Sequence, residues 1–410
     1  MRDQRPETTQ TQASHAVVIG GGYAGVVAAN HLTRREDLTV TLINPRPTFV
    51  ERIRLHQRVG GSHEAATDFA QVLAPTVRLT VDTVRRIDAP SRTLELASGQ
   101  AVHYDYLVYT VGSHDAPPVV PGTTEHAHPL STLEQADALR RRLATAGPSA
   151  PVTVVGGGAT GIETAAELAE LGHPVTLVCG EQLGPYLHPR ARREVAKQLA
   201  RLGVTVLAGV GARVTEVGPG AVHLADGRTL PSAVTVWTAG FGVPDLASRS
   251  GLTTDALGRL VTDETLTSID DERIFAGGDA AAPSDVPYRM CCAAAQPLGA
   301  HAAATVLRRI AGRDPAPFSV PIPGQCLSLG RKAGVLQFAR RDDSAIGVFV
   351  GGRIGAGVKE AVCAGTVKGL HTMSRRPHLI SSLTMVQDPR RAQLLSTAKT
   401  SVESRQSLAE

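Results

Sequence analysis

One pattern occurs twice in this chain, and it constrains the fold more than any other feature. His15-Ala-Val-Val-Ile-Gly-Gly-Gly-Tyr-Ala-Gly25 is echoed by Val152-Thr-Val-Val-Gly-Gly-Gly-Ala-Thr-Gly161. Each copy is a short β-branched run, a glycine loop and an alanine-rich stretch suited to a helix. Each continues into a second strand-like run, 38–43 in the first copy and 175–178 in the second. The spacing predicts two βαβ units, their loops about 136 residues apart, with one dinucleotide fold in each. Within a loop the glycines have separate tasks. Gly20 permits the tight turn, Gly22 lets the backbone approach a pyrophosphate, and Gly25 allows close helix–strand packing. Gly156, Gly158 and Gly161 repeat the arrangement. The helix that follows offers unpaired N–H groups to the anion, which adds Tyr23, Ala24 and Thr160 to the candidate binding residues.

The chain has 410 residues, too many for one ordinary core. Strand-like pieces at 77–81, 93–96 and 106–110 separate the two units, followed by a proline-rich connector at 116–122 that reads as a domain crossover. A basic helix at 190–202 should lead into a strand at 204–207. A second proline cluster at 314–323 precedes glycine-punctuated short strands. Aromatic residues make up only 3%, which argues against a nucleic-acid stacking platform. A net charge of +4 is that of an ordinary solvated surface. The five cysteines contain no CxxC pair and read as reduced thiols in a cytoplasmic setting. The polar residues 1–14 read as a disordered tail, not a signal peptide. No apolar run reaches eighteen residues, so no integral membrane segment is expected.

The end of the second strand in such a unit usually carries an acidic residue for a ribose. Here the first copy has Asn44, with Arg46 close behind, and an Asn side chain can both accept from and donate to ribose hydroxyls. In the second copy the place falls on Cys179 or Gly180, with Glu181 just beyond. Arg190, Arg192 and Arg193 could reach a 2′-phosphate only if their loop folds back, so NADH and NADPH both stay open.

With these motifs the chain resembles the two-dinucleotide-domain flavoproteins of the glutathione-reductase-like fold, nearest the type II NADH dehydrogenase and apoptosis-inducing-factor branch. Further stretches carry the likeness: Tyr104-Asp-Tyr-Leu-Val-Tyr-Thr-Val-Gly-Ser113, Val234-Thr-Val-Trp-Thr-Ala-Gly-Phe241 and Ile274-Phe-Ala-Gly-Gly-Asp-Ala280. The resemblance implies an α/β protein with two Rossmann-like domains, the NAD(P) domain inserted in a split FAD domain, and a small C-terminal α+β region. The expected boundaries are 15–118 and 242–312 for the FAD domain, 119–241 for the NAD(P)H domain and 313–410 for the C-terminal domain. FAD is the implied cofactor, and NADH or NADPH the implied co-substrate. Thr110, Gly112, Gly240, Gly278 and Asp279 join the implied cofactor contacts, and Glu163 is implied to face the nicotinamide. Arg54, with Arg52 and His56, sits where a segment passes near the flavin, so it either tunes the flavin or belongs to a basic turn.

Disulfide reductases of this fold carry CxxxxC soon after the first unit, where this chain has Thr48-Phe-Val-Glu-Arg-Ile-Arg-Leu-His-Gln57. A redox disulfide is therefore not expected, and hydride taken by flavin must leave to an external acceptor, a quinone or another small organic molecule. In type II NADH dehydrogenases a glutamine-rich run lines the quinone site; the equivalent Cys292-Ala-Ala-Ala-Gln-Pro-Leu-Gly-Ala-His301 keeps only Gln296. Two alternatives remain: a reductase for a ferredoxin-type redox protein, or an apoptosis-inducing-factor-like binding protein with slow turnover. A homodimer is left open, as is peripheral contact with a membrane. Leu379, Ile380, Leu383 and Val386 are spaced as on a helix face, and docking on the FAD domain is the expectation for them.

Overall fold

The computed structural model describes residues 14–117, 119–322, 324–378, 388 and 391–397. Two five-stranded parallel sheets form its centre. The first runs in the order Ile274–Ala276, Tyr106–Tyr109, Ser14–Ile19, Leu38–Asn44, Arg78–Val81. The second runs Ala127–Pro129, Val234–Trp237, Val152–Val155, Val175–Val178, Thr205–Leu207. Val17, Val18, Val154 and Leu177 are fully covered, as expected of strands packed on both faces in a parallel sheet. In both sheets the strand before a glycine loop lies in the middle. Strand order reverses there, which opens a crevice beyond the strand's carboxyl end.

The first sheet is completed only by Ile274–Ala276, after the whole second sheet has been built. The second unit therefore interrupts the first. The outgoing and returning chains meet as a two-stranded antiparallel ribbon, with His114 opposite Gly242 and Asp115 opposite Phe241. This ribbon stands at the start of the proline connector read as a crossover.

Helix Tyr23–Leu32 packs face to face on helix Cys292–Ile310 through small side chains, among them Ala28, Ala29, Ala302 and Ala303. Their approach is closest at Gly299, where a Cβ would overlap the backbone carbonyl of Ala24. A three-stranded antiparallel sheet, Gly324–Ser328, Gly334–Ala339 and Ala345–Val350, follows, and then helix Gly352–Arg375 crosses it with Gly355 against the Gly334 carbonyl. Further on, buried Arg391 binds both oxygens of Glu264 at 2.8 and 2.9 Å and the carbonyls of Pro283 and Val286. Arg391 thus ties the described segment 391–397 back to residues 264–286. Leu379, Ile380, Leu383 and Val386 lie outside the described residues. Among those described, no helix is long and apolar enough to cross a membrane.

Replacing Gly299 by Ala should lower unfolding stability by about 2 kcal/mol, because the new methyl must push the two helices apart. Urea denaturation measures this. A midpoint equal to the parent's would mean that this contact does not limit the packing.

Candidate functional site

The two glycine loops are twins in detail. Gly20 and Gly156 have φ of +97° and +130°, which only glycine adopts without strain. A Cβ at Gly25 or Gly161 would overlap the carbonyl of Gly20 or Gly156. At Gly22 and Gly158, by contrast, a Cβ would have no atom within 4 Å. The helices that begin there have no side-chain cap and no acidic residue in the first turn. Both rows of N–H groups therefore face open space, the arrangement that accepts an anion. A threonine braces each loop: the Thr110 hydroxyl donates to the Ile19 carbonyl at 2.8 Å, and that of Thr238 to Val155 at 2.9 Å. Gly112 and Gly240 follow these threonines with φ of +72° and +86°.

Tyr23 and Ala24 support the first loop from within. The Tyr23 ring packs edge-on against Phe49 at 5.1 Å, and Ala24 lies under both Gly278 and Gly299. Thr160 is half-buried at the start of the second helix. Asn44 closes on the first loop, accepting the Gly21 N–H at 2.8 Å. Arg46 leaves this group for Glu134, donating to it from Nη2 at 2.7 Å, and that contact holds the Glu134 carboxyl down at about 2.

Asp279 reaches the same crevice from a segment 166 positions beyond Ser113. It accepts from the Ser113 hydroxyl at 2.7 Å, and Arg52 donates to that hydroxyl at 3.0 Å. Arg54 enters a different network. Buried, it donates to Glu360 on the C-terminal helix at 2.6 and 3.0 Å and to Gln57 at 2.7 Å. Gln296 is half-buried in helix Cys292–Ile310, one residue beyond Ala295, which lies 4.0 Å from where a Gly278 Cβ would be.

Glu163, expected beside the nicotinamide, stands in a buried polar group. It is buried, and its carboxylate meets the Lys359 ammonium at 2.9 Å and the Ser328 N–H at 2.9 Å, with His56 Nδ1 3.9 Å away. Burial opposes charge on Glu163, but Lys359 and His56 outweigh it and hold the carboxyl below its ordinary value. Burial likewise opposes charge on Lys359, and Glu163 reverses the effect, raising the amine above the usual lysine range. Burial pushes His56 down to about 4, so it is neutral at pH 7 and shares a 3.0 Å hydrogen bond with the Ser328 hydroxyl. Lys359 and Ser328 were missed from sequence; the available signal was one of only five lysines, set in the largely uncharged run 354–364.

Thiolate chemistry has little support here. Burial raises Cys179 and Cys292 to about 12 and Cys363 to about 11, so these thiols stay protonated at neutral pH.

Residues 14–304 match the family described as pyridine nucleotide-disulphide oxidoreductase. The chain belongs to that family. An NADH dehydrogenase-like protein of Mycobacterium tuberculosis is 31% identical over 352 residues, covering 78% of this chain and 87% of that protein. The type II NADH:quinone oxidoreductase of Haemophilus influenzae is 25% identical over 329 residues, covering 65% and 73%. Among solved structures, NDH2 from Plasmodium falciparum in complex with NADH superposes with a TM-score of 0.73 at 15% identity, covering 88% of this chain and 97% of that one. This member of the family is a flavoprotein oxidoreductase that uses FAD with NADH or NADPH. Both open helix N-termini and the Asp279–Ser113–Arg52 group fit that pair of dinucleotides.

Gly22→Val and Gly158→Val should each fill an empty cradle without touching the fold. The first should abolish FAD retention; the second should keep FAD and lose NADH binding. Flavin absorbance and NADH titration read the two effects separately. Stoichiometric FAD in folded Gly22→Val protein would sink the assignment of the first loop.

Proposed function

We propose that this enzyme takes hydride from NADH, with FAD held by segments 15–118 and 242–312 and NADH by 119–241, and passes the electrons to a small organic acceptor such as a quinone. The observation that carries this reading is the pair of open, uncapped helix N-termini, one for each dinucleotide. Bound FAD supplies the two-electron flavin chemistry, so the protein's task is chiefly to bind, orient and exclude water.

Gly22 and Gly158 let the backbone N–H groups close on the two pyrophosphates. Asp279, its hydroxyl donor Ser113 and Arg52 form a polar end to the first crevice. Lys359 and Glu163 place a fixed charge pair where the second loop's helix meets the C-terminal helix.

NADH is favoured over NADPH on local grounds. Glu181 stands just past strand Val175–Val178, where an acidic group suits a free ribose diol and repels a 2′-phosphate. Arg192, the nearest half-buried cation of the following helix, donates to the Leu187 carbonyl at 2.9 Å.

A cavity of about 450 Å³ lies between the C-terminal helix and the 51–72 segment. Its lining mixes charged groups, Arg54, Glu360 and Lys368, with the apolar Val72, Ala364 and Val367, so it offers a small organic acceptor both polar and apolar contacts.

Anaerobic addition of NADH should bleach the flavin, with NADH at least about tenfold more efficient than NADPH. Alkylation of the accessible thiols beforehand should leave bleaching intact. Failure of both nucleotides to reduce bound FAD in folded protein would overturn the proposal.

A further inference from the structure

The C-terminal sheet carries a wide irregularity in its last strand pair. Gln337 stands opposite Phe349 and Ala339 opposite Ala345, so the single residue Phe338 faces the three residues 346–348. A bulge of this kind disrupts the ladder locally, and the displaced carbonyls need donors from elsewhere. The Gln337 side chain supplies them. It is buried, and its Nε2 donates to the carbonyls of Phe338 and Ile346 at 2.7 Å, with that of Val348 at 3.2 Å. Three acceptors around one end of the amide fix that end as nitrogen, which aims Oε1 the other way.

Oε1 leaves the sheet and accepts the backbone N–H of His188 at 3.2 Å. His188 caps helix Pro189–Arg201, accepting the Arg190 N–H through Nδ1, and it closes the 179–188 loop that follows strand Val175–Val178. Backbone bonds lace that loop to the second glycine loop. The Leu187 N–H donates to the Gly184 carbonyl at 2.9 Å, and the Gly184 N–H to the Gly157 carbonyl at 2.8 Å. The loop also lies directly on Gly157, where a Cβ would overlap the Gln182 carbonyl. On the other flank, helix Ala159–Glu170 is fastened to the same C-terminal unit through Glu163 and Lys359. Both flanks of the second crevice are thus held from outside their own fold.

We propose that Gln337 is a positioning residue for NADH. Its amide ties the bulge of the C-terminal sheet to the 179–188 loop and holds that loop where it receives the adenosine end of the nucleotide. It acts through the His188 backbone rather than by touching NADH. The loop follows the second strand of its unit, the place that serves the ribose of the adenosine half, remote from the nicotinamide. Losing the anchor therefore removes binding that the ground state and the transition state share, which raises half-saturation and leaves the limiting rate alone. The inference rests on NADH occupying the second glycine loop.

Anaerobic stopped-flow reduction of the FAD-loaded enzyme over a range of NADH concentrations separates the two quantities, for the parent, Q337L, G347V and G158V. Leucine keeps most of the glutamine volume but can neither accept from His188 nor donate to the bulge. Q337L should need about tenfold more NADH for half-maximal flavin bleaching, with a limiting rate within about twofold of the parent and FAD content unchanged. G347V approaches the same junction from the bulge. A Cβ at Gly347 would already come to 3.3 Å from the His188 Cε1, so valine must push His188 aside and should shift half-saturation in the same direction. Folded Q337L with the parent's half-saturation overturns the inference, and so does a fall in the limiting rate alone. If Q337L does not fold, G347V decides by the same two readings. G158V should fail to saturate with NADH whatever holds the loop. If it behaves as the parent does, the placement of NADH fails and the inference with it; its loss beside an unaffected Q337L overturns the inference alone.

Discussion

A buried ion pair between Glu163 and Lys359 ties together parts of the chain that are far apart in sequence. Glu163 belongs to the helix of the second glycine loop, and Lys359 to the C-terminal helix. Ser328 of the C-terminal sheet and His56 of the first unit complete the group. Taking two charges out of water costs more than their attraction alone returns unless hydrogen bonds complete the site, so such a pair specifies an arrangement more than it adds stability. The pH dependence follows from the directions of the shifts. Lys359 is raised, so its contribution is full below the ordinary lysine range and is lost as pH rises through the folded value. Glu163 is lowered, so its contribution is full above the ordinary carboxylate range and is lost as pH falls. His56, lowered to about 4, costs stability as pH falls from the ordinary histidine range toward that value, because it must stay neutral while the unfolded chain takes a proton. Around neutral pH the Lys359 and Glu163 contributions are both full and His56 costs nothing.

Around this junction the molecule divides its work by repetition. The two sheets share strand order, loop glycines and a bracing threonine, so each presents an open, uncapped helix N-terminus at the same place in its own fold. The differences lie beyond the loops. The first unit takes Asp279 from a late segment and Asn44 from its second strand, whereas the second has Cys179 and Glu181 at the corresponding strand end. Arg54 and Glu360 add a further link between the first unit and the C-terminal helix, and line the polar cavity beside it.

Much of this was legible in the sequence because it depends on local rules. β-branched runs, glycine spacing and the helix-forming stretches after them located both units, and the late Gly-Asp motif indicated that the first sheet would be completed from downstream, as strand Ile274–Ala276 does. The partners of single polar residues were not legible. Arg54 reads either as a cation near the flavin or as part of a basic turn, and its ion pair with Glu360 appears only once helix Gly352–Arg375 is placed. The helix position of Glu163 is visible in the sequence, while its partner Lys359 lies 196 positions later. Nothing in local periodicity fixes how a C-terminal helix crosses two preceding units.

The central claim is that an ionised buried pair fastens the C-terminal helix to the helix of the second glycine loop, and a double-mutant cycle tests it most directly. Urea unfolding at neutral pH would be measured for the parent, Glu163→Gln, Lys359→Met and the double variant. Each single change should cost roughly 3–5 kcal/mol by stranding a charge, and the double variant should lose far less than the sum. Additive losses below about 1 kcal/mol each would match an exposed, independent pair and would contradict the account.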